Sequence, residues 1–181
     1  LAEQVKSKLS NQNIIHQCTF ENISETKKYD LILFSESFQY VKIKESLLKI
    51  KQILNPDGHI LICDFFQRSN STKSPMGGGH NWNQFNNYIN EYPFKLKTNL
   101  DITTETAPTI DLFAKFNDDV LSPLVLNVDE YLKSKYPLVT KFIKWKFRKR
   151  LEKISNIYLR GGVNGQSFKE HKQYHLLIYK N

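Results

Sequence analysis

Hydrophobic and polar positions between residues 28 and 66 predict a strand, a helix and a second strand. Residues 31–34 form a continuous apolar run, as in a strand that is covered on both faces. Isoleucine and leucine then recur at helical spacing over 43–54, and an Asn-Pro-Asp-Gly turn at 55–58 precedes a second apolar run at 60–66. The two strands are therefore predicted to pair in parallel, through a right-handed crossover.

The flanking sequence divides into shorter predicted elements. Hydrophobic spacing predicts the tail of a helix at 1–9, strands at 14–20, 94–102 and 173–179, and a helix at 82–92. A loop rich in Ser, Asn and Gly occupies 68–81, and its three consecutive glycines predict flexibility.

A long helical pattern begins after Pro108 and continues to about residue 159. Pro123 and Pro137 are expected to interrupt it, because proline lacks an amide proton and disrupts a helix interior. The stretch is too long for a simple loop. We therefore expect a helical insertion or lid at 109–164, between core segments at 1–108 and 165–181.

A polar cluster at the end of the first apolar run belongs to the most specific pattern in the chain. The chain has Tyr-Asp at 29–30, an apolar strand, Ser-Glu-Ser-x-x-Tyr at 35–40, an amphipathic helix, Leu-Asn-Pro-Asp-Gly-His at 54–59 and a strand containing Asp64. This order resembles the middle of the class I S-adenosylmethionine-dependent methyltransferases over about residues 1–100. Segment 101–112 is similar to one in some small-molecule members. The alternative is a parallel α/β domain of another kind, such as a dehydrogenase.

The resemblance implies an α/β fold of the Rossmann-like methyltransferase type. Its three layers would enclose a mostly parallel sheet with an antiparallel last strand, here 173–179, and a helical insertion before that strand. The family also has a glycine-rich turn after its first strand, whereas the first glycine here is Gly58 and the only methionine is Met76. We therefore expect an N-terminally incomplete domain, a fragment without the first strand, first helix and second strand, which is inactive alone.

Ligands of an open α/β sheet lie over the carboxyl ends of its strands, here 18–21, 35–37 and 64–66. The resemblance implies S-adenosylmethionine as cofactor. It puts Thr19 in the place of the usual acidic partner of the adenine amino group and Phe20 against the ring, while a slip of the alignment would put Glu21 there. Phe20 is equally consistent with a core aromatic residue.

Ser35, Glu36 and Ser37 match the segment that lies beside the methionine part of the cofactor in this family. Their backbone carbonyls and short polar side chains would meet the ammonium and sulfonium groups, and a carboxylate suits a sulfonium electrostatically. Tyr40 is expected to face the same cleft. The alternatives are a solvated or helix-capping role for Glu36 and a packing role for Tyr40.

Methyl transfer requires alignment above all, and a general base only for a weakly acidic acceptor. The two candidate bases are Asp64, at the end of its strand, and His80, on the glycine loop. Asp64 is also consistent with orienting a loop or substrate, and His80 with an exposed loop residue. The spacing of His, Cys and acidic residues does not indicate a metal site.

The composition indicates a folded domain, since 40% of the 181 residues are hydrophobic and 13% are aromatic. No apolar run approaches the roughly 20 residues that cross a bilayer. Cys18 and Cys63 are expected to be buried thiols in strands, as in a reducing compartment, so that a cytoplasmic location is expected.

Residues 141–153 hold seven basic residues against one acidic, and so most of the net charge of +8. One helical face is predicted to pack while the cations point outward; it carries Ile143, Phe147, Leu151, Ile154 and Tyr158. A solvated lid face, contact with an anionic membrane and contact with an acidic carrier or substrate remain open. Nucleic acid is not expected, because no reading module accompanies the basic helix.

The leading hypothesis is a methyltransferase that uses S-adenosylmethionine to methylate a small molecule. The alternative is a noncatalytic α/β module whose basic helix contacts a membrane surface or an acidic partner. The acceptor atom and the oligomeric state remain open.

Overall fold

The computed structural model of the chain describes residues 14–24, 27–69, 74, 76–155 and 162–181. Its strands are β1 (Tyr29–Ser35), β2 (Leu54–Gln67), β3 (Lys95–Asp101) and β4 (Lys172–Lys180). Its α-helices are α1 (Ile43–Ile53), α2 (Trp82–Ile89), α3 (Thr103–Phe116), α4 (Ser122–Lys135), α5 (Pro137–Lys146), α6 (Arg148–Ile154) and α7 (Gly165–His171). The central strand–helix–strand unit, α2, β3 and β4 match the predicted elements. The helix predicted at 1–9 lies outside the described residues.

The four strands form one mixed sheet in the order β1-β2-β4-β3. β1 and β2 are parallel, with Leu31 opposite His59 and Ser35 opposite Cys63, and β4 is antiparallel to both of its neighbours. The predicted antiparallel last strand is therefore confirmed, and β3 is parallel to β2. The carboxyl ends of β1, β2 and β3 and the amino end of β4 lie along one edge of the sheet, called the carboxyl edge below.

α1 and α2 cover one face of the sheet. Ile43, Leu47 and Ile50 recur at helical spacing on α1, and all three are buried. Phe38, in the turn after β1, is fully buried in the same core, and its ring lies edge-on to that of Phe85 with centroids 5.4 Å apart. Because aromatic side chains bury large areas, Phe38 anchors this turn to the core.

α3 and α7 cover part of the opposite face, where they contact β4. A second, smaller core there consists of Phe65, Ala107, Phe168 and Tyr174. Leu31 and Leu33 of β1 are 53% and 58% exposed, although Ile32 and Phe34 are buried on the other face. The expectation that β1 is covered on both faces is wrong for the described residues, because α3 and α7 pack mainly against β4 and leave these two side chains exposed.

Two short segments differ from their predicted conformation. Residues 14–19 form no strand, and Phe20–Asn22 is a single 3₁₀ turn. Within the described residues the segment does not pair with β1, and the Glu21 carboxylate accepts a hydrogen bond from the Lys42 amide instead. Cys18 is consequently exposed, while Cys63 is half-buried. The turn predicted at 55–58 is an irregularity within β2, where the pairing jumps from Leu54 to His59.

The stretch after β3 is helical but differs in its breaks. A π-helical turn, Asn117–Leu121, joins α3 to α4, and Pro123 does not interrupt the chain because it lies in the first turn of α4. Pro137 does follow a break, between α4 and α5. In the described part of the chain, no helix has the length and apolar character needed to span a membrane.

The predicted basic helix is divided at Phe147 into α5 and α6. Ile143, Phe147 and Leu151 of the apolar face predicted to pack are 46%, 43% and 41% exposed, so these three side chains are half-exposed instead. The Ile154 side chain and Tyr158, the other two predicted members, lie outside the described part of the chain.

Candidate active site

Residues 35–37 leave the sheet at its carboxyl edge and are exposed. Glu36 has a φ of 48°, in the left-handed region that non-glycine residues rarely adopt and that recurs at functional sites. Its amide donates a hydrogen bond to the Cys63 carbonyl at 2.9 Å, which fixes the turn to β2. Tyr40 is 80% exposed, so the packing alternative does not hold for it within the described residues.

The carboxylate of Glu36 is held by Tyr174, near the amino end of β4. The Tyr174 hydroxyl donates to Glu36 Oε1 at 2.8 Å, and the Cys63 thiol lies 3.8 Å from the same hydroxyl oxygen. Burial and the bond to Glu36 raise the pKa of Tyr174 well above its usual range, so the phenol keeps the proton that it donates. A buried donor thus orients an exposed carboxylate.

Asp64 is 1% exposed and lies beneath the turn at 38–40. Its Oδ2 accepts a hydrogen bond from the Gln39 amide at 3.0 Å, and its Oδ1 accepts one from the Phe65 amide at 2.8 Å. Burial raises the pKa of this carboxyl above its ordinary value, although the amide bonds favour the ionised form. Both oxygens are therefore engaged in fixing the turn to the end of β2.

His80 binds the same turn. Its Nε2 lies 2.9 Å from the Phe38 carbonyl oxygen, so Nε2 carries a proton and donates it, and in the neutral ring Nδ1 holds the lone pair. The His80 carbonyl accepts from the Gln67 amide at 2.8 Å, which ties it to the end of β2. The structure thus brings the two candidate bases, Asp64 and His80, to one turn.

The glycine loop was predicted to be flexible, but hydrogen bonds anchor the part of it at 76–80 that the structure describes. Gln67 Nε2 donates to the carbonyls of Gly78 and Gly79 at 3.1 and 2.8 Å. Gly79 has a φ of 75°, and a Cβ there would lie 2.9 Å from the Phe65 carbonyl oxygen, so only glycine fits. Gly78 and Gly79 therefore pack against the end of β2, and His80 is the next residue in the chain.

Lys172, the first residue of β4, holds this loop from below and is fully buried. Its ammonium donates to the Gly78 carbonyl at 2.5 Å and lies 5.2 Å from the centre of the Phe65 ring. Burial lowers the pKa of Lys172 to about 8. The side chain acts as a clamp between β4 and the loop that carries His80.

Residues 19–21 lie against the start of α1. The Lys42 amide donates to Glu21 Oε1 at 2.6 Å, and this bond lowers the pKa of the Glu21 carboxyl. Phe20 is partly buried against the first core, with its ring edge-on to Phe34 at 4.9 Å. Thr19 is exposed. Glu21 therefore helps to cap α1, and Phe20 belongs in part to the core.

The helical stretch starts at the same edge of the sheet. The Asp101 carboxylate, at the end of β3, accepts from the Thr103 amide at 2.9 Å. Thr103 is buried, and its hydroxyl oxygen accepts from the Tyr174 amide at 2.8 Å. α3 is thus tied to the residue that holds Glu36.

Sequence reasoning missed Tyr174, Lys172 and Gln39. The first residues of an antiparallel last strand lie beside the carboxyl end of β2. The predicted strand direction was therefore enough to place Lys172 and Tyr174 near the site. Gln39 gave no such signal, because its contact with Asp64 depends on the conformation of a short turn.

Solved structures of other proteins have an architecture similar to that of this chain. The O-methyltransferase from the trans-AT PKS multienzyme of Brevibacillus brevis, solved with S-adenosyl-L-homocysteine, matches with 14% identity and a TM-score of 0.57, over 99% of this chain and 52% of that one. The cyclopropane synthase MmaA2 from Mycobacterium tuberculosis matches with 12% identity and a TM-score of 0.62, over 99% and 65%. The chain has the fold of the class I S-adenosylmethionine-dependent methyltransferases.

The methyltransferase fold also occurs in the cyclase SpnF, which matches with 11% identity and a TM-score of 0.63, over 99% of this chain and 61% of that one. Since one fold hosts different reactions, the reaction depends on the residues of the site and not on the fold. The chain spans between 52% and 65% of the length of these three structures. No protein-family model matches the sequence, and no curated protein matches it.

Proposed function

We propose that the chain forms part of an S-adenosylmethionine-dependent methyltransferase that methylates a small molecule. The observation that carries the proposal is the exposed carboxylate of Glu36 at the carboxyl edge of a methyltransferase fold. Its backbone is held in the left-handed region and its side chain is oriented by Tyr174. The comparisons do not favour the alternative of a noncatalytic binding module.

The residues at this edge fit the proposed cofactor chemically. A carboxylate about 4 Å from a sulfonium gains roughly 4 kcal/mol of attraction at an effective dielectric constant near 20. Glu36 would provide that carboxylate, with Ser35 and Ser37 offering hydroxyls and carbonyls to the amino-acid part. Thr19 or Glu21 would accept from the adenine amino group, and Phe20 would border the ring. When bound, S-adenosylmethionine supplies an electrophilic methyl group.

His80 is the proposed proton acceptor for a weakly acidic methyl acceptor. Its Nε2 donates a hydrogen bond to the Phe38 carbonyl, so Nδ1, which holds the lone pair, is the atom that would accept the proton. Asp64, whose two oxygens bind backbone amides, would instead hold the turn to which His80 is bonded. Tyr40, exposed at the end of that turn, would contact the ligand.

The helices that follow Thr103 are proposed to cover the substrate. The insertion at 109–164 begins close to the carboxyl edge, because Thr103 is bonded to both Asp101 and Tyr174. A helical cover would exclude water and suit an acceptor that is a small molecule. The α/β core would then comprise 1–108 and 165–181.

Equilibrium dialysis of the chain against radiolabelled S-adenosylmethionine, up to millimolar ligand, tests the proposal. We expect the bound label to be displaced by S-adenosylhomocysteine and not by NAD⁺. Glu36→Gln should weaken binding about tenfold or more, because it removes a charge and nearly keeps the shape.

The matched control is Glu91→Gln, which makes the same change at an exposed residue after α2 and should leave the affinity unchanged. Circular dichroism should show both variants to be folded. Unchanged affinity of Glu36→Gln would place Glu36 outside the site, and displacement of the label by NAD⁺ would point to a dehydrogenase-type ligand.

A further inference from the structure

α5 carries an apolar ridge on the side opposite to its packed face. At about 100° per residue, Leu138, Phe142 and Trp145 project in nearly the same direction. These three side chains are 81%, 56% and 74% exposed. The opposite side is occupied, since Thr140 is buried with its hydroxyl bonded to an α4 carbonyl at 2.9 Å, and Lys144 pairs with an α4 carboxylate at 2.5 Å. The ridge is therefore the outward surface of the α4–α5 pair.

Basic side chains flank the ridge on both sides. By helical position, Lys141 lies on one side of it and Lys146 on the other. The Lys146 ammonium lies 5.9 Å from the ring centres of both Phe142 and Phe147, so that its stem follows aromatic surface. Just beyond, a surface cavity of about 360 Å³ is lined by Trp145, Lys146, Phe147, Arg148, Lys149 and Arg150. Residues 137–151 contain six lysines and arginines and no acidic residue.

We propose that this surface, residues 138–150, docks onto an anionic lipid bilayer. A helix that lies in the membrane interface needs Trp, Phe and Leu on one side to enter the boundary of headgroups and acyl chains, and Lys or Arg beside them to meet anionic headgroups. α5 has this arrangement. The long lysine stems let the ridge sink while the charges stay in the headgroup layer.

The projecting ridge favours a lipid surface over an acidic protein. Charge complementarity alone would fit either partner, because each offers negative charge to the cations. A carboxylate-rich protein surface, however, would cover Leu138 and Phe142 with polar groups. A bilayer would instead bury the whole ridge among its acyl chains. The exposed Trp145 also suits the interface, where indole rings are enriched.

Sedimentation with vesicles tests the proposal. We expect the chain to sediment with vesicles of phosphatidylcholine and phosphatidylserine and not with phosphatidylcholine alone. Binding should fall by at least tenfold from about 0.1 M to about 1 M salt, as the Debye length shortens from about 10 Å to about 3 Å. Trp145 fluorescence should shift to shorter wavelength with the anionic vesicles, and Trp145→Phe should abolish that shift.

Three double variants distinguish an anionic bilayer from an acidic polypeptide as the partner of this surface. Lys146→Glu with Lys149→Glu should abolish sedimentation, whereas Lys95→Glu with Lys97→Glu, an equal charge reversal on β3, should retain it. Leu138→Ser with Phe142→Ser should lose vesicle binding yet keep any binding to soluble polyglutamate. Circular dichroism checks the fold of each variant.

Absence of sedimentation at low salt would overturn the proposal. An equal loss of binding in the β3 control would reduce it to an effect of net charge. Full vesicle binding by the serine variant, together with tight binding of polyglutamate, would assign the surface to an acidic polypeptide instead.

Discussion

Replacing Phe38 with alanine should lower the free energy of unfolding by about 3–5 kcal/mol, which is the usual cost of removing a fully buried phenylalanine. Its ring packs against four other rings with centroid separations from 5.2 to 6.4 Å: those of Phe34, Phe66, His80 and Phe85. Phe38 also belongs to the turn that binds Asp64 and His80. The substitution should therefore loosen the site as well as the core.

Urea denaturation followed by circular dichroism measures this effect. Phe116→Ala makes the same chemical change at a side chain that is 50% exposed, and it should cost much less. If the two variants lost equal stability, Phe38 would not be the centre of the first core.

Replacing Lys172 with methionine should change how stability depends on pH, by about 3 kcal/mol in total. Burial lowers the pKa of Lys172 from 10.5 to about 8, and each pKa unit corresponds to about 1.36 kcal/mol. Between about pH 8 and pH 10 the unfolded chain holds this proton and the folded chain releases it. The wild type should therefore gain stability relative to Lys172→Met as the pH rises through this range, and the difference should stay constant below it.

Urea denaturation of both proteins from about pH 7 to about pH 11 gives the difference directly, because the full change is reached only above the unfolded pKa of 10.5. Lys169→Met, on the exposed surface of α7, is the matched control and should run parallel to the wild type. A constant difference between Lys172→Met and the wild type at every pH would mean that the Lys172 ammonium is not desolvated by the fold.

The central strand–helix–strand unit could be predicted from sequence because apolar residues at helical spacing lie between two continuous apolar runs. Ile43, Leu47 and Ile50 define a helical face, and the apolar runs on either side define its parallel strands. The rule that strand ends gather ligand residues then brought Glu36 and Asp64 to one edge.

An apolar run, however, records a tendency to be buried and not the presence of a covering element. Leu31 and Leu33 look like core residues in sequence, yet in the described residues no helix covers them. Phe147 looks helical in sequence, yet the helix breaks there, and Phe147 itself is left half-exposed.

The side-chain contacts of the site were harder to predict because they join distant parts of the chain. Tyr174 meets Glu36 only through the register of β4 against β2. Lys172 meets the glycine loop through the same register, so a shift of one residue would turn both side chains to the other face. Such contacts depend on tertiary structure and not on local pattern.

Amide chemical shifts of the ¹⁵N-labelled chain, recorded while S-adenosylhomocysteine is added, show whether the cofactor binds at the carboxyl edge of the sheet. Because each amide reports on its own position, the method locates even a weak site. We expect shifts concentrated at the amides of Ser35, Glu36 and Ser37, with the amides of 138–150 unaffected. These shifts should be smaller in Glu36→Gln. No shift at these three amides at millimolar ligand, or shifts of equal size along 138–150, would contradict a cofactor site at the carboxyl edge.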